Sequence, residues 1–284
     1  MATGDDGSRG SGGDAAAAPV ELLPLPEPGT FRIAIEADHP YFRDHRVRGR
    51  GILPGAACLE FAVQGTMRRP SGPRVQAILD AAWLRPILAD DSHDELVLEL
   101  REPGDGGMVE YTITDRWARC GSGLLAFGKQ DSKPAVSLAV RDEICENSRS
   151  LLARGEVYEE FAKMGIDYGR HFRRVTYVQR HGKRSLAWLS NNDGTPLGLT
   201  NLLDCSFQAG MAISIGEHRE SLMPYSLGRM VFHRPLHLPL AAAFVVTEKL
   251  SPFRTRCTVF DEDYDALISV FDLGVKAAHS TSKR

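Results

Sequence analysis

Hydrophobic residues follow two series along the chain, and each series consists of one helical run followed by strand-like segments. In the first series the apolar run AACLEFAVQGTM, residues 56–67, predicts a helix, and the segments LVLEL, VEYTIT and GLLAFG behind it predict strands. In the second series the run LTNLLDCSFQAGMAISIG, residues 199–216, precedes the strand-like segments GRMVFHRPL, AAFVVTEKL, RCTVF and ALISVFDL. The pattern predicts two units of the α+β class, each with one long helix wrapped by an antiparallel sheet.

A short motif recurs in the two series at a fixed distance. WLRPI and FHRPL begin at Trp83 and Phe232, 149 residues apart, and share an aromatic residue, an arginine, a proline and an aliphatic residue. The same offset sets the helix after Pro54 against the helix around Leu203, which favours an internal repeat over chance similarity. We therefore predict that helices beginning near Pro54 and near Thr200 lie side by side in the core.

The composition of the chain predicts where the two halves begin and end. Residues 1 to about 20 are rich in Gly, Ser, Asp and Ala without apolar periodicity, so we predict a disordered leader and end it at residue 27. The polar, irregular stretch at residues 128–150 is typical of an inter-domain connection. The predicted halves are residues 28–150, including this connection, and residues 151–284. Whether the chain is freestanding or a domain of a longer protein is left open.

Overall charge and hydropathy narrow the functional classes. With 34 basic and 37 acidic residues among 284, the chain has a net charge of −3, which gives no general attraction for the phosphate backbone of nucleic acids. No run approaches the roughly 18 to 20 apolar residues that span a bilayer, and the N-terminus lacks the pattern of a secretory signal. We therefore expect no nucleic-acid or membrane partner and a cytoplasmic location.

The cysteines and most histidines give no sign of a metal site. Five cysteines lie scattered along the chain without a C-x-x-C pair, which argues against a disulfide framework and a zinc site. His39, His233 and His237 do not share metal-ligand spacing with carboxylates or cysteines. Cys205 stands beside Asp204, but no base is placed for it, and we predict that it packs in the core.

One histidine and one aspartate form a candidate acid/base pair. The 149-residue offset places His45 opposite Gly194 and Gly55 opposite Asp204, so the two halves are complementary rather than equivalent and would share one composite site. Histidine suits the base because its ordinary pKa of about 6.5 leaves it largely neutral near pH 7. A partly buried aspartate suits the acid because burial raises its pKa.

Asp204 has a neighbour that could orient it. Gln208 lies four residues further along the predicted helix, so both side chains share one face, and the amide is predicted to hydrogen-bond the carboxyl group. A structural alternative is that Asp204 is a helix-start charge stabilised by the helix dipole. For His45 the alternative is a surface or core histidine without a catalytic role.

Four segments in order carry a family resemblance. HRVRGRGILP fits H-x-x-x-G-x-x-x-x-P with His45, Gly49 and Pro54, GIDYGRHF resembles a Y-G-P-x-F motif, LLDCSFQ resembles L-D-x-x-x-Q, and MPYSLGRMVFHRPL resembles the strand that follows. Over about residues 30–275 the chain therefore resembles the dehydratase domains of polyketide synthases. The resemblance implies a double hot-dog fold, in which two antiparallel sheets each wrap around a long helix.

The resemblance also implies a reaction. His45 would be the general base and Asp204 the general acid in loss of water from a 3-hydroxyacyl thioester on the phosphopantetheine of an acyl carrier protein. No metal or organic cofactor is implied. Alternatives that keep the fold are double-bond isomerisation, ring closure by oxa-conjugate addition, and non-catalytic acyl binding. The implied partners are the carrier protein and other polyketide synthase domains, and a homodimer is left open.

The remaining predicted site residues surround the acid and the base. The helix start at Gly55 offers unpaired N–H groups that could hold a thioester carbonyl oxygen. The predicted substrate-binding set comprises Gly49, Pro54, Gly55, Tyr168, Gly169 and Gln208. For Tyr168 the alternative is a packed aromatic ring with its hydroxyl at the rim of the site. Arg170 stands where the family has proline, and we expect this charge to alter substrate contact. The arginines of RDHRVRGRG are predicted to form a solvated strand face, with recognition of an acidic carrier protein as the alternative.

Overall fold

The computed structural model describes residues 19–68, 74–90, 96–101, 107–128, 130, 132–191, 197–216 and 222–277. The elements of the first half are β1 (Glu21–Pro24), β2 (Thr30–Ala34), α1 (Pro40–Arg43), β3 (His45–Val47), β4 (Arg50–Gly51), α2 (Gly55–Met67), β5 (Val75–Trp83), β6 (Val97–Arg101), β7 (Met108–Thr114) and β8 (Arg119–Phe127). The elements that follow are α3 (Ala139–Asn147), β9 (Ser150–Ala153), α4 (Arg154–Lys163), β10 (Ile166–Tyr168), β11 (Val175–His181), β12 (Arg184–Ser190), α5 (Leu199–Ala212), β13 (Leu222–Phe232), β14 (Ala242–Ser251), β15 (Arg254–Phe260) and β16 (Ala266–Ala277). None of the helices within the described residues is long and apolar enough to cross a membrane.

Strands from both halves form one continuous antiparallel sheet. Within the described part of the chain it has 13 strands, in the order β1-β2-β6-β7-β8-β5-β13-β16-β15-β14-β12-β11-β9. A second sheet, in the order β10-β3-β4, joins a strand of the second half to two strands of the first. The two predicted sheets are therefore joined edge to edge, at the pair formed by β5 and β13.

The strand order contains the same arrangement twice, related by a two-fold rotation through the β5–β13 pair. In this relation β5, β8, β7, β6, β2 and β1 correspond to β13, β16, β15, β14, β12 and β11. The register agrees, because Ala77 pairs with Val231 and Ala82 pairs with Ser226. In the 149-residue repeat Ala77 corresponds to Ser226, and Ala82 corresponds to Val231. The two-fold rotation therefore places the Ala77–Val231 pair on the Ser226–Ala82 pair. The internal repeat predicted from the sequence is confirmed.

Helices α2 and α5 contact each other in the core, as predicted. Helix α2 contacts strands β1, β5, β6 and β8 of the first half, whereas α5 contacts β11, β12, β14 and β15 of the second. Every residue of α5 is buried, and Leu59 of α2 and Leu203 of α5 belong to one apolar cluster. Each half is thus a helix cradled by its own strands, which is the expected double hot-dog arrangement.

The helices keep a different offset from the strands. Helix α5 begins 144 residues after α2, at residue 199 against residue 55. Counted from the helix starts, Asp204 corresponds to Glu60 rather than to Gly55. The predicted correspondence of Asp204 with Gly55 is therefore wrong, because it applied the strand offset to the helices. Gly194, which was expected opposite His45, lies outside the described residues.

Two predicted boundaries also differ from the structure. Strand β1 lies inside the predicted leader of residues 1–27, where it pairs with β2. Its apolar Leu22 is fully buried, which stabilises this strand against the rest of the fold. Residues 1–18 of that leader lie outside the described residues. The predicted irregular connection at residues 128–150 contains α3, whose Ile144 is buried in an apolar cluster with second-half strands. This connection is therefore partly helical and packed against the second half.

Candidate active site

A cavity of about 280 Å³ lies where the two halves meet. Its lining comes from strands β3, β5, β8, β10, β13 and β16 and from helices α2 and α5, and it is mostly apolar, with Trp83 among its residues. Leu84 and Lys276 line it and are exposed, so the cavity opens to solvent beside them. His45 and Asp204 also line the cavity, and both are buried.

His45 is the first residue of β3 and is 7% exposed. Its Nδ1 lies 2.8 Å from the carbonyl oxygen of Ile52, and the Ile52 N–H donates to the His45 carbonyl at 3.0 Å. Because a carbonyl oxygen can only accept, Nδ1 carries the hydrogen of the neutral ring. The lone pair is then on Nε2, the atom nearer to Asp204, as a general base at this site requires.

Asp204 lies on the second turn of α5 and is 6% exposed. Gln208, one turn further, donates from Nε2 to Asp204 Oδ2 at 2.9 Å, which confirms the predicted hydrogen bond. Burial raises the pKa of Asp204 above its ordinary value, although His45 and the Gln208 amide each act to lower it. Since Oδ2 accepts the amide hydrogen, Oδ1 is the oxygen left to carry a proton.

The structure brings His45 and Asp204 together in one cavity. Nε2 of His45 and Oδ1 of Asp204 are 3.9 Å apart, which is longer than a hydrogen bond. His45 Nε2 has a lone pair, and Asp204 Oδ1 belongs to a carboxyl group with a raised pKa. This arrangement can take a proton from one substrate atom and give a proton to another.

A buried hydrogen-bond network holds Gln208 in place. The Tyr158 hydroxyl donates to Gln208 Oε1 at 3.0 Å, and the Val175 N–H donates to the Tyr158 oxygen at 3.0 Å. Gln208 Nε2 also donates to the Phe172 carbonyl at 3.1 Å. Gln208 is fully buried and does not line the cavity. It therefore orients Asp204, which corrects its place in the predicted substrate-binding set.

Strand β10 brings Tyr168 beside the candidate base. In the antiparallel pair of β10 and β3, Tyr168 lies directly opposite His45, and the ring centroids are 5.5 Å apart. Tyr168 lines the cavity, and burial together with the charge of Asp204 raises the pKa of its hydroxyl. The hydroxyl therefore stays protonated and can donate a hydrogen bond inside the cavity.

Asp44 holds the loop that follows Tyr168. Its carboxylate accepts a hydrogen bond from the His171 N–H at 3.1 Å, and its carbonyl accepts one from the Gly169 N–H at 2.7 Å. A Cβ on Gly169 would lie 2.5 Å from Asp44 Oδ1, so the close approach requires glycine, although Gly169 does not line the cavity. Arg170 is exposed and does not line the cavity either, so an effect of Arg170 on substrate contact stays a prediction that would act through this loop.

Three other predicted site residues shape the backbone around the cavity. Gly49 has a φ of 77° in the turn between β3 and β4, which favours glycine, and Pro54 precedes α2 with a φ of −58°. Neither lines the cavity. Gly55 does line it, but a Cβ there would lie 2.7 Å from the Trp83 indole, which also donates to the Gly55 carbonyl at 2.9 Å. The close packing of Trp83 is therefore enough to require glycine at position 55, whether or not substrate approaches there.

The arginines and cysteines near the site have structural explanations. Arg46, Arg48 and Arg50 are exposed, in agreement with a solvated strand face. All five cysteines are free thiols. Cys205 is buried, its Sγ donates to the Phe172 carbonyl at 3.3 Å, and burial raises the pKa of its thiol, so it packs in the core as predicted.

Sequence reasoning missed three residues that position the site. Tyr158 and Gln208 are 50 residues apart in sequence, so no local spacing links them. Asp44 and His171 are separated by 127 residues. Trp83 belongs to the repeated WLRPI motif, whose recurrence was the one available signal, although it did not indicate contact with Gly55.

Comparison with known proteins agrees with this architecture. Residues 23–116 match the family described as polyketide synthase dehydratase domain, and residues 138–284 match the one described as polyketide synthase dehydratase N-terminal domain. The chain is 28% identical over 225 residues to the polyketide synthase PksN of Bacillus subtilis (strain 168). That alignment covers 72% of this chain, and the chain spans about 4% of the length of PksN.

Solved structures share the fold. The dehydratase domain from the CurF module of Curacin polyketide synthase superposes with a TM-score of 0.76 at 17% identity, over 92% of this chain and 98% of that one. Two variants of the CurK dehydratase, one with histidine changed to phenylalanine and one with aspartate changed to asparagine, are both described as inactive. They superpose with TM-scores of 0.75 and 0.74 at 16% and 14% identity, over 93% and 92% of this chain and 98% of theirs. Since family models match both halves, the chain belongs to the polyketide synthase dehydratase family.

Proposed function

We propose that this chain removes water from a 3-hydroxyacyl thioester, carried on the phosphopantetheine of an acyl carrier protein, and forms a 2,3-unsaturated acyl thioester. The observation that carries the proposal is the pair of His45 Nε2 and Asp204 Oδ1, 3.9 Å apart in a mostly apolar cavity. A site that takes one proton and gives another at neighbouring atoms suits the removal of water across two carbons.

In the proposed reaction His45 Nε2 takes the proton from C2, and the electron pair of that C–H bond forms the C2–C3 double bond. The C3–O bond breaks as the proton on Asp204 Oδ1 moves to the hydroxyl group, which leaves as water. Return of the proton from His45 to Asp204 restores the starting state. Only proton transfers are needed, so the proposal includes no metal or organic cofactor.

The start of α2 can stabilise charge on the thioester. Gly55 lines the cavity at the first position of α2, where backbone N–H groups lack intrahelical acceptors and the helix dipole is positive. A hydrogen bond from the Gly55 N–H to the thioester carbonyl oxygen would acidify the C2 proton and stabilise enolate-like charge. Tyr168, opposite His45, is a second donor in the same cavity.

The CurK variants support the choice of His45 and Asp204. That dehydratase is described as inactive after a change of one histidine and after a change of one aspartate. Among the described residues, His45 is the one histidine and Asp204 the one aspartate that line the cavity of this chain. The same two residue types are therefore present where the proposed reaction needs them.

Mass spectrometry of a 3-hydroxyacyl carrier protein incubated with this protein tests the proposal. With the parent protein, we expect the mass of the acyl chain to fall by one water. With Asp204→Asn as the control, the mass should stay unchanged. An unchanged mass with altered absorbance or retention would select isomerisation or ring closure. Binding of the acyl carrier protein without any chemical change would select the non-catalytic module.

Beside the cavity, a turn that is hydrogen-bonded to Asp115 carries an exposed tryptophan. Asp115 Oδ1 accepts hydrogen bonds from the N–H groups of Trp117 and Ala118 at 2.8 and 2.9 Å. Arg85, which lines the cavity, forms an ion pair with Asp115 at 3.0 Å. Trp117 is 68% exposed, and the Arg116 guanidinium lies 5.1 Å from its ring centroid. Tryptophan and arginine contribute strongly to binding surfaces, so this turn is suited to the carrier protein.

Two substrates can test the role of this turn. The double change Arg116→Glu and Trp117→Ala should raise KM for the carrier-bound substrate about tenfold, because it removes positive charge and an apolar anchor. The same acyl group on a short pantetheine thioester should keep its KM. Arg101→Glu is the matched control, since Arg101 is exposed and lies opposite Glu110 in the β6–β7 strand pair, near the other end of β7. Equal changes for both substrates would assign the defect to the cavity instead.

The other expected partners remain part of the proposal. PksN is a polyketide synthase and CurF a module of one, which supports other synthase domains as neighbours of this chain. A cytoplasmic location stays a prediction from the sequence, and a homodimer is left open. Size-exclusion chromatography with light scattering would decide between a monomer and a dimer.

A further inference from the structure

Glu60 joins α2 to the start of α5. Its Oε2 accepts hydrogen bonds from the Thr200 N–H at 3.1 Å and from the Thr200 hydroxyl. Thr200 is the second residue of α5, where N–H groups lack intrahelical acceptors, and Gly198 at the N-cap has no side chain to supply one. A carboxylate from a neighbouring helix therefore caps α5, at the positive end of its dipole.

The same carboxyl group contacts α1. The Tyr41 hydroxyl donates to Glu60 Oε2 at 3.3 Å, and Gln64 Nε2 donates to Glu60 Oε1 at 3.0 Å. Burial and the charge of Glu60 raise the pKa of the Tyr41 hydroxyl, which therefore stays a donor. Tyr41 lies in α1, which leads through Asp44 into His45. Glu60 thus contacts both the segment before the base and the helix that carries the acid.

Glu60 has in the first half the place that Asp204 has in the second. Counted from the helix starts, Glu60 corresponds to Asp204 and Gln64 to Gln208, and each glutamine donates to its carboxyl group, at 3.0 and 2.9 Å. The two carboxyl groups differ in their surroundings, because Asp204 lines the cavity and Glu60 does not. Thr200 lies one turn before Asp204 on α5, so a fixed Thr200 also fixes the turn that bears Asp204.

We infer that Glu60 is a positioning residue for the reaction, which holds the start of α5 so that Asp204 Oδ1 keeps its distance from His45 Nε2. The inference rests on the proposed function of the site. Glu60 acts through the geometry of α5 and does not contact substrate. Displacements of about 1 Å in a catalytic site can lower turnover about 100-fold, so the effect on rate is measurable.

Glu60→Gln tests the inference directly. The amide has one oxygen in place of two, so it cannot accept from Thr200 and Gln64 together. We expect kcat for water loss from a 3-hydroxyacyl carrier protein to fall about 10- to 100-fold with KM within about twofold. Glu159→Gln, an exposed glutamate in α4, should leave both constants unchanged. Thr200→Val should also lower kcat, and the double variant should be little slower than Glu60→Gln alone.

The Asp204→Asn background separates positioning from general damage. There Glu60→Gln should change the residual rate less than about twofold, because the acid that it positions is absent. If circular dichroism shows that Glu60→Gln does not fold, the kcat of Thr200→Val tests the same Glu60–Thr200 contact instead. A parent-like kcat in the folded variants, or an equal loss in the Asp204→Asn background, overturns the inference. A parent protein that releases no water contradicts the proposed function itself, and the inference with it.

Discussion

At the scale of single residues, the acid and the base of the proposed site are held in different ways. His45 is fixed by one backbone carbonyl, that of Ile52, which determines the ring nitrogen that carries hydrogen. Asp204 is fixed by side chains, through Gln208 and then Tyr158. The burial that raises the pKa of Asp204 suits an acid, but it also disfavours the ionised form in the folded protein.

This cost predicts a pH-dependent gain in stability for Asp204→Asn. Because the folded pKa is raised, the folded state binds more protons than the unfolded state between the two pKa values, and the free energy of unfolding falls as pH rises through that window. Asparagine does not titrate. Above this window, the free energy of unfolding of the variant should therefore rise relative to that of the parent by about 1.4 kcal/mol for each unit by which folding raises the pKa of Asp204. Urea unfolding from pH 4 to pH 7 measures this difference, and a difference independent of pH would contradict the raised pKa.

At the scale of elements, the site depends on two strands of three residues each. Strand β3 carries His45 and strand β10 carries Tyr168, and their pairing brings the two halves together beside the cavity. The loop after β10 is held against Asp44 by close contact at Gly169. The position of Tyr168 therefore depends on how closely this loop approaches the end of α1.

Gly169→Ala tests that dependence. Its Cβ would meet the Asp44 side chain at 2.5 Å, so the loop must move, and we expect a loss of about 1 to 3 kcal/mol in stability and at least about tenfold in turnover. Gly155→Ala is the matched control, because a Cβ at Gly155 meets no atom within 4 Å. Urea unfolding and the rate of water loss are the measurements. Parent-like behaviour of Gly169→Ala would show that the contact at Asp44 does not fix the loop.

The sequence predicts those elements whose apolar pattern is long enough to be periodic. Helices α2 and α5 and strands β6 to β8 and β13 to β16 fall on the predicted runs. Strands β3 and β10 are too short for any period and form because they pair with each other. Helix α3 has one buried residue, Ile144, so its pattern resembles a polar linker. His45 and Asp204 were identified from motifs, whereas Tyr158 and Glu60 act through contacts that only the folded chain brings together.

At the scale of the whole molecule, the two halves contact each other through their sheets, their short edge strands and their long helices. The β5–β13 pair joins their sheets, the β10–β3 pair joins their edges at the cavity, and α2 contacts α5 in a common core. The site itself is composite, with His45 from one half and Asp204 from the other. Neither half contains both members of the pair, and buried residues of both halves belong to one apolar cluster.

This interlocking predicts a single unfolding transition. Leu125→Ala, which removes a fully buried side chain from β8, should cost about 2 to 5 kcal/mol and lower the melting temperature of the second half together with that of the first. Calorimetry should give a ratio of calorimetric to van't Hoff enthalpy near one for parent and variant. Two resolved transitions, with one unchanged in Leu125→Ala, would show instead that the halves unfold independently.

The most direct test of the account is the single-turnover rate of water loss from a 3-hydroxyacyl carrier protein, compared for the parent, His45→Ala, Asp204→Asn and the double variant. The account predicts that each single change lowers the rate on the order of 100- to 10,000-fold, because each removes one of two proton transfers. Since both groups act in one event, the double variant should be little slower than the slower single variant. An Asp204→Asn rate within about threefold of the parent, or losses that multiply in the double variant, would contradict the shared role of the pair.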